Sequence, residues 1–367
     1  MKRSRRSFAL FSALAVIVLF ASLLAGGAWW VFFSDAGLRW AASEARSRSA
    51  DRLKLEGVEG TLAGTVRVAR VIYEDDDLRL VADNVEFTWS PRALLAQSVR
   101  IDTVGASSVG LLLKPGKGIS APPASLALPW QIEIQRASIA HLDVESGENR
   151  WRFARLAFHF SGGSLRHALE ELAFDSEWGA LRGNIALDAS RPFAATGIVA
   201  FAGSDELRRA SASLAIAGTL DALMLSGEAS AEGARLKGFA RVAPFDRAWL
   251  TEARAELADV DLARFDARLP ATALSMTVDG AGDGERRVYG RFNARNATAG
   301  PVSADRLPIA SIASSFAFVA EALALDSIEA TVGQNGRIAG GARIERKQAR
   351  WDLAVADLDL RAIAADL

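Results

Sequence analysis

Three histidines, His141, His159 and His167, are the side chains best suited to hold a metal or relay a proton. Their spacing supports neither. His159 and His167 stand eight residues apart, about 12 Å along a helix and too far to share an ion, and no carboxylate pair brackets them. Gly280-Ala281-Gly282-Asp283-Gly284 is glycine-rich, but it opens no apolar helix and no lysine follows in a phosphate-loop frame, so it reads as a turn. Asp75-Asp76-Asp77 lacks the spacers and later glutamate of a calcium loop and reads as a hairpin tip. Asn296-Ala297-Thr298 matches a glycosylation triplet, which matters only in a eukaryotic secretory route. No serine sits in a Gly-x-Ser-x-Gly elbow. With no cysteine in the chain, thiolate catalysis, disulfides and cysteine-held zinc or iron–sulfur are excluded. The expectation is a protein that is not an enzyme and uses no metal or cofactor.

The remaining chemistry is partition between water and hydrocarbon. Residues 8–33 form an uncharged run of 26 residues, long enough as a helix, at roughly 39 Å, to span a ~30 Å hydrocarbon core with some tilt. Phe8, Leu14, Val18 and Leu23 line this expected anchor, and Trp29, Trp30 and Phe33 fit its interfacial end. Lys2, Arg3, Arg5 and Arg6 precede it without an acid, which puts residues 1–7 in the cytoplasm and the rest across the membrane. The rival is a cleaved signal ending near Ala25-Gly26-Gly27-Ala28, although its apolar region would be unusually long. Both readings export the remainder. Lys plus Arg total 43 against 44 Asp plus Glu, mixed along the chain, so no basic stripe awaits a nucleic acid.

Residues 34–52 read as a short membrane-proximal helix with Leu38, Ala41, Ala42 and Ala45 on one face. From Leu53 the apolar period becomes two, predicting half-buried strands over 53–114, interrupted by a short helix at Ser90-Pro91-Arg92-Ala93-Leu94-Leu95. Residues 115–130, rich in proline, form a linker or loop. A repetitive β segment over 131–367 follows, with Gly183, Gly197, Gly218, Gly227 and Gly238 taken as turn signals. Leu165 to Leu172 fits either a helical turn or a strand. Asp259-Val260-Asp261-Leu262 with Phe265 and Leu269 repeats 98 residues later as Asp357-Leu358-Asp359-Leu360 with Ile363 and Leu367. An array with no cap after its last repeat is expected to be the front part of a longer one.

Alternation puts Val66/Val68, Val99/Ile101, Ile132/Ile134, Ile185/Leu187, Leu214/Ile216 and Leu223/Leu225 on strand faces that would join into one apolar stripe. Such a stripe suits a closed β-sandwich core as well as an open groove. Small residues assigned to the inward phase, Ala215, Ala217 and Ala229, and an aromatic content of 8 % favour the groove.

The charged N-terminus and anchor, then Leu53-Lys54-Leu55-Glu56-Gly57-Val58-Glu59-Gly60-Thr61-Leu62, then Ser90-Pro91 with Leu94-Leu95 and Val99-Arg100-Ile101, resemble the opening of the TamB family. The stretch from Asp261-Leu262 to Leu269-Pro270 is similar to a motif recurring in its repeats. The resemblance implies the wider AsmA-like group: an all-β, elongated, U-shaped groove of stacked strands, tethered to the Gram-negative inner membrane by one transmembrane helix and crossing the periplasm. It also implies phospholipid transport between the two membranes, or outer-membrane protein assembly and secretion with a TamA-like barrel. The family's C-terminal domain, which faces that barrel, has no counterpart in this sequence.

Physical arithmetic suits a lipid path. Each methylene moved out of water is worth about 0.8 kcal/mol, so a 16-carbon chain left in water costs on the order of 12 kcal/mol, and a conduit must stay apolar throughout. About 25 strands at ~4.8 Å spacing would make a trough of roughly 120 Å.

Overall fold

A computed structural model describes residues 30–114, 123–204, 210–284, 287–319, 322–345 and 348–363. The predicted anchor residues Phe8, Leu14, Val18, Leu23 and Trp29, and the topology residues Lys2, Arg3, Arg5 and Arg6, lie outside them. Among the described residues no helix is long and apolar enough to cross a membrane. Trp30 and Phe33 are described and exposed, in a helical turn that breaks at Ser34.

Two compact units divide the chain, one formed by residues up to 116 with 128–163, the other by 117–127 with 164–367. In the first, helix α1 (Asp35–Arg48) starts at Ser34, whose hydroxyl accepts a hydrogen bond from Gly37 N, with Asp35 in its first turn and Arg46 and Arg48 in its last, matching the helix dipole. Strands β1 (Leu53–Gly60), β2 (Thr65–Glu74), β3 (Leu78–Trp89) and β4 (Ser98–Leu113) pair antiparallel in sequence order. β5 (Gln131–Ser146) joins β4 in parallel, and β6 (Asn149–Gly162) returns antiparallel. The predicted short helix is a 3-10 segment, Pro91–Ala96.

The apolar phase of this sheet changes once along its strands. At the row Gly57, Ala69, Asn84, Ser107, Ala140 and Arg155 the alternation restarts, with Gly57, Asn84 and Arg155 in the left-handed region at φ 62°, 50° and 52°. The apolar side itself does not change: Leu55 and Val58, one on each side of the row, both pack against the buried core of Leu38, Val66 and Val68. A left-handed residue resets the pleat by one position, which reconciles the spacing Leu53, Leu55, Val58 with a single buried face.

The second unit is an uninterrupted antiparallel meander: β7 (Arg166–Ser176), β8 (Gly179–Asp188), β9 (Ala194–Gly203), β10 (Ser211–Thr219), β11 (Ala222–Ala231), β12 (Ala234–Val242), β13 (Leu250–Val260), β14 (Leu274–Gly282), β15 (Arg287–Asn296), β16 (Ile309–Val319), β17 (Ala322–Val332), β18 (Gly336–Glu345) and β19 (Gln348–Ala356). Among the described residues β7 does not pair with β19, nor β1 with β6, so each sheet is open. The strands total 19 among the described residues, fewer than the expected 25; two of them run to 16 residues and one to 14.

From Arg166 the stretch Leu165 to Leu172 is strand rather than helix: His167 pairs with Leu187, Leu169 with Ile185 and Leu172 with Gly183, with a bulge between Leu169 and Leu172. The glycines taken as turn signals are a larger correction. Gly183, Gly197, Gly227 and Gly238 sit inside strands, where a side-chain carbon would stand 2.7–2.9 Å from the neighbouring strand's carbonyl oxygen. They mark close backbone approach rather than chain reversal. Gly280-Ala281-Gly282 likewise ends β14, and the turn begins only at Asp283.

The 98-residue repeat is structural. Asp259 and Asp357 both adopt positive φ (58° and 52°), and Asp261 and Asp359 each cap a short helical segment, α2 (Leu262–Phe265) and a 3-10 turn (Leu360–Ala362), by accepting from Ala263 N and Arg361 N.

Candidate functional site

The pairing register decides which side chains share a face, because directly opposed residues point the same way. Ile216 of β10 opposes Leu225 of β11 and Gly197 of β9, while Leu214 opposes Gly227 and Val199. Ile185 and Leu187 of β8 oppose Gly197 and Ala195, and Leu223 opposes Gly218 and Val242. Followed strand by strand to β19, this face continues through Leu236, Ala255, Val278, Phe292, Phe316, Leu325, Ala342 and Trp351. No Asp, Glu, Lys or Arg stands on it at any paired position from β7 to β19. His167, Ser176, Asn296 and Ser314 are its polar members. All four are internally satisfied: Ser314 donates to Asp326 O at 2.9 Å, Asn296 Oδ1 accepts from Ala273 N at 3.1 Å, Ser176 donates to Gly179 O at 3.0 Å, and His167 Nε2 bonds Leu126 O at 2.9 Å.

The other face is wet. Lys237 meets Glu228 at 2.9 Å, Arg241 meets Glu252 at 3.1 Å, and Arg235 pairs with Asp259. Ala215 and Ala217 belong here, opposite Ser226 and Met224, which corrects their assignment to the inward phase. Leu214 and Ile216 hold the apolar phase of β10, so the intervening alanines must point the opposite way. Ala229 does lie on the apolar face, opposite Ala212 and Leu236.

A cavity of about 600 Å³ lies over the apolar face from β8 to β16, lined among others by Leu181, Phe201, Leu225, Val278 and Phe316, and also by Glu228 and Arg254. Nine strands at ~4.8 Å give it a reach of about 40 Å across the strands. Its walls are not sealed: Leu214 and Leu236 remain 36 % and 40 % exposed, whereas facing sheets of a sandwich bury such residues. A larger hollow of about 780 Å³ lies on the wet face, lined by Glu228, Lys237, Phe239, Arg254 and Glu256. Its ion pairs suit water, not hydrocarbon.

The first unit repeats the division. Val66 and Val68, 2 % and 5 % exposed, oppose Phe87 and Val85 beneath Leu38 of α1. Val99 pairs with Ile132 and Ile101 with Ile134 along the parallel β4–β5 ladder. On its wet face Arg70 Nε donates to Asp83 Oδ1 at 2.7 Å and Ser108 Oγ to Asp83 Oδ2 at 3.0 Å. These bonds, the one from Arg70 first, hold the Asp83 carboxyl below its ordinary pKa. Lys114 does the same for Glu74.

Residues Leu181, Val199, Phe201, Val278, Phe292 and Phe316 were missed in the sequence, although each begins or ends an i, i+2 apolar or glycine pair. The Asp75 run is a hairpin tip, with Asp75 Oδ1 accepting from Asp77 N and Leu78 N, both at 2.9 Å. Among the described residues no group of His, Asp and Glu could hold a metal ion.

Residues 24–145 match the family model of the TamB N-terminal domain. No curated protein and no solved structure matches the chain.

Proposed function

We propose that this chain is an inner-membrane-anchored, periplasmic β groove of TamB type that carries phospholipid acyl chains along its apolar face, with head groups in water at the open side. The reading rests on one observation above the others: thirteen consecutive strands present a face without a single charge, while ion pairs crowd the reverse. A 16-carbon chain moved from water onto such a face recovers on the order of 12 kcal/mol, and one carboxylate on the path would forfeit much of that locally. The match to the TamB N-terminal domain supports the same reading. In it the run 8–33 is the single-pass anchor, the N-terminus is cytoplasmic, each sheet bends into a U-shaped trough, and the protein acts without catalysis, metal or cofactor.

Photo-crosslinking residues placed at Ile185, Leu223 and Ile132 test this in cells. Phospholipid recovered from these positions but not from Ser226 supports the conduit; equal labelling from both faces overturns it.

A second reading, assembly of outer-membrane proteins with a TamA-like barrel, would use strand edges rather than the apolar face. Polypeptide rather than lipid in the cross-links would favour it.

A further inference from the structure

One end of the strands in the first unit gathers exposed apolar side chains. β1, β3 and β6 finish there and β2, β4 and β5 begin there, as the pairings Gly60–Val66, Trp89–Ile101, Ser98–Gln131 and Ile132–Gly162 fix. On this rim Leu95 is 92 % exposed, Phe33 53 %, Trp30 46 % and Trp130 40 %. Its loops are tied together in sequence: Ala63 N donates to Phe32 O at 2.7 Å, Trp89 Nε1 donates to Leu62 O at 2.5 Å, and Gln131 N donates to Gln97 O at 3.2 Å. The Phe32 and Trp89 rings lie 6.4 Å apart. The opposite strand ends carry Asp75, Asp76, Asp77 and Glu148, which an anionic surface would repel.

We infer that this rim, with Leu95 and Trp130 at its tip and Arg92 beside them, rests in the head-group layer of the phospholipid bilayer that receives residues 8–33. Three observations choose a bilayer as the occupant. The rim is bonded to Phe32, the last turn of the uncharged run, so it cannot lie far from where that run leaves the membrane. Its large exposed apolar residues are the tryptophan, phenylalanine and leucine that partition into an interface, beside exposed Gln97 and Gln131, and Arg92 supplies the only charge on its 3-10 segment. The far strand ends carry a net excess of acid, Asp75, Asp76, Asp77 and Glu148, beyond the pairs Lys114 and Arg79 with Glu74 and Arg150 with Glu145. The inference rests on the anchored-groove reading and adds to it an entrance: Val99, Ile101, Ile132 and Ile134 are the first apolar groove residues inside this lip, so acyl chains would pass sideways over the rim onto them.

The absence of cysteine makes the test direct. Full-length Leu95→Cys, Trp130→Cys and, as a control at the far end, Asp76→Cys are labelled with an environment-sensitive fluorophore and reconstituted into vesicles of phosphatidylethanolamine and phosphatidylglycerol. Labels at 95 and 130 should emit to the blue of that at 76 and be quenched several-fold more strongly by nitroxide lipids. Equal accessibility of all three to aqueous iodide overturns the inference, as does shielding of 95 from both quenchers, which would signal a protein contact. Failure of the chain to remain with the vesicles at all would instead count against the anchor, and so against the proposed function itself.

Discussion

Ile216 and Leu225 stand directly opposite each other on β10 and β11, both on the uncharged face, while their chain neighbours Ala217 and Ser226 point into water. One residue along the strand therefore exchanges hydrocarbon for solvent, and function should change just as sharply.

Leu225→Glu removes about two methylene equivalents of acyl contact, worth roughly 1.6 kcal/mol or about tenfold in occupancy, before the cost of the charge is added. Phospholipid captured by a photo-crosslinker at Ile185 or Leu223 should fall by at least that factor. Ser226→Glu should leave it unchanged. Equal effects from the two variants would mean that the faces are not functionally distinct.

Asn84 holds the phase-resetting row at φ 50°, where its side-chain nitrogen donates to Ser107 Oγ at 3.0 Å. Asn84→Val puts a β-branched residue in the left-handed region and should lower unfolding stability by about 1–2 kcal/mol, read as a shift in urea midpoint. Asn84→Gly should lose far less, since glycine adopts that conformation freely.

The lowered pKa of Asp83 carries a pH signature. Its bonds from Arg70 and Ser108 contribute stability that is full above the carboxyl's unfolded value near ~3.9 and is lost as pH falls through the lower folded value. Wild type should therefore be more stable than Asp83→Asn at neutral pH. The difference should close in acid; an advantage that persists there would deny the linkage.

Asp261 accepts from Ala263 N and from Thr272 N at 3.0 Å, so it ties the start of α2 to the approach of β14. Asp261→Ala should cost about 1 kcal/mol in thermal or denaturant unfolding. Asp359→Ala, at the repeated position, loses the single bond from Arg361 N and should cost less.

Much of the uncharged face was legible beforehand because its signal is local. Leu214-Ala215-Ile216 and Leu223-Met224-Leu225 alternate over three residues, and a strand must put the outer two on one side. The helix at 35–48 was legible for the same reason. The glycines were not. Gly227 in a strand and glycine in a turn look alike in one dimension, and only the carbonyl of Ser213, 2.8 Å from where a side-chain carbon would sit, tells them apart. Ala215 and Ala217 were misplaced because alanine carries too little hydrophobic contrast to declare its face.

What the residue order determined by itself is the chemistry available: no thiol, an uncharged run at the start, and alternating hydrocarbon thereafter. Tertiary structure decided that, within each unit, the apolar half-faces of successive strands join into one surface. It also decided that a left-handed row at Gly57, Asn84 and Arg155 keeps the first unit's surface on one side, and that the exposed rim of Leu95 and Trp130 gathers beside Phe32. Alternation is a property of two or three neighbouring residues, whereas register is set by hydrogen bonds between residues far apart in the chain, and no single strand contains that information.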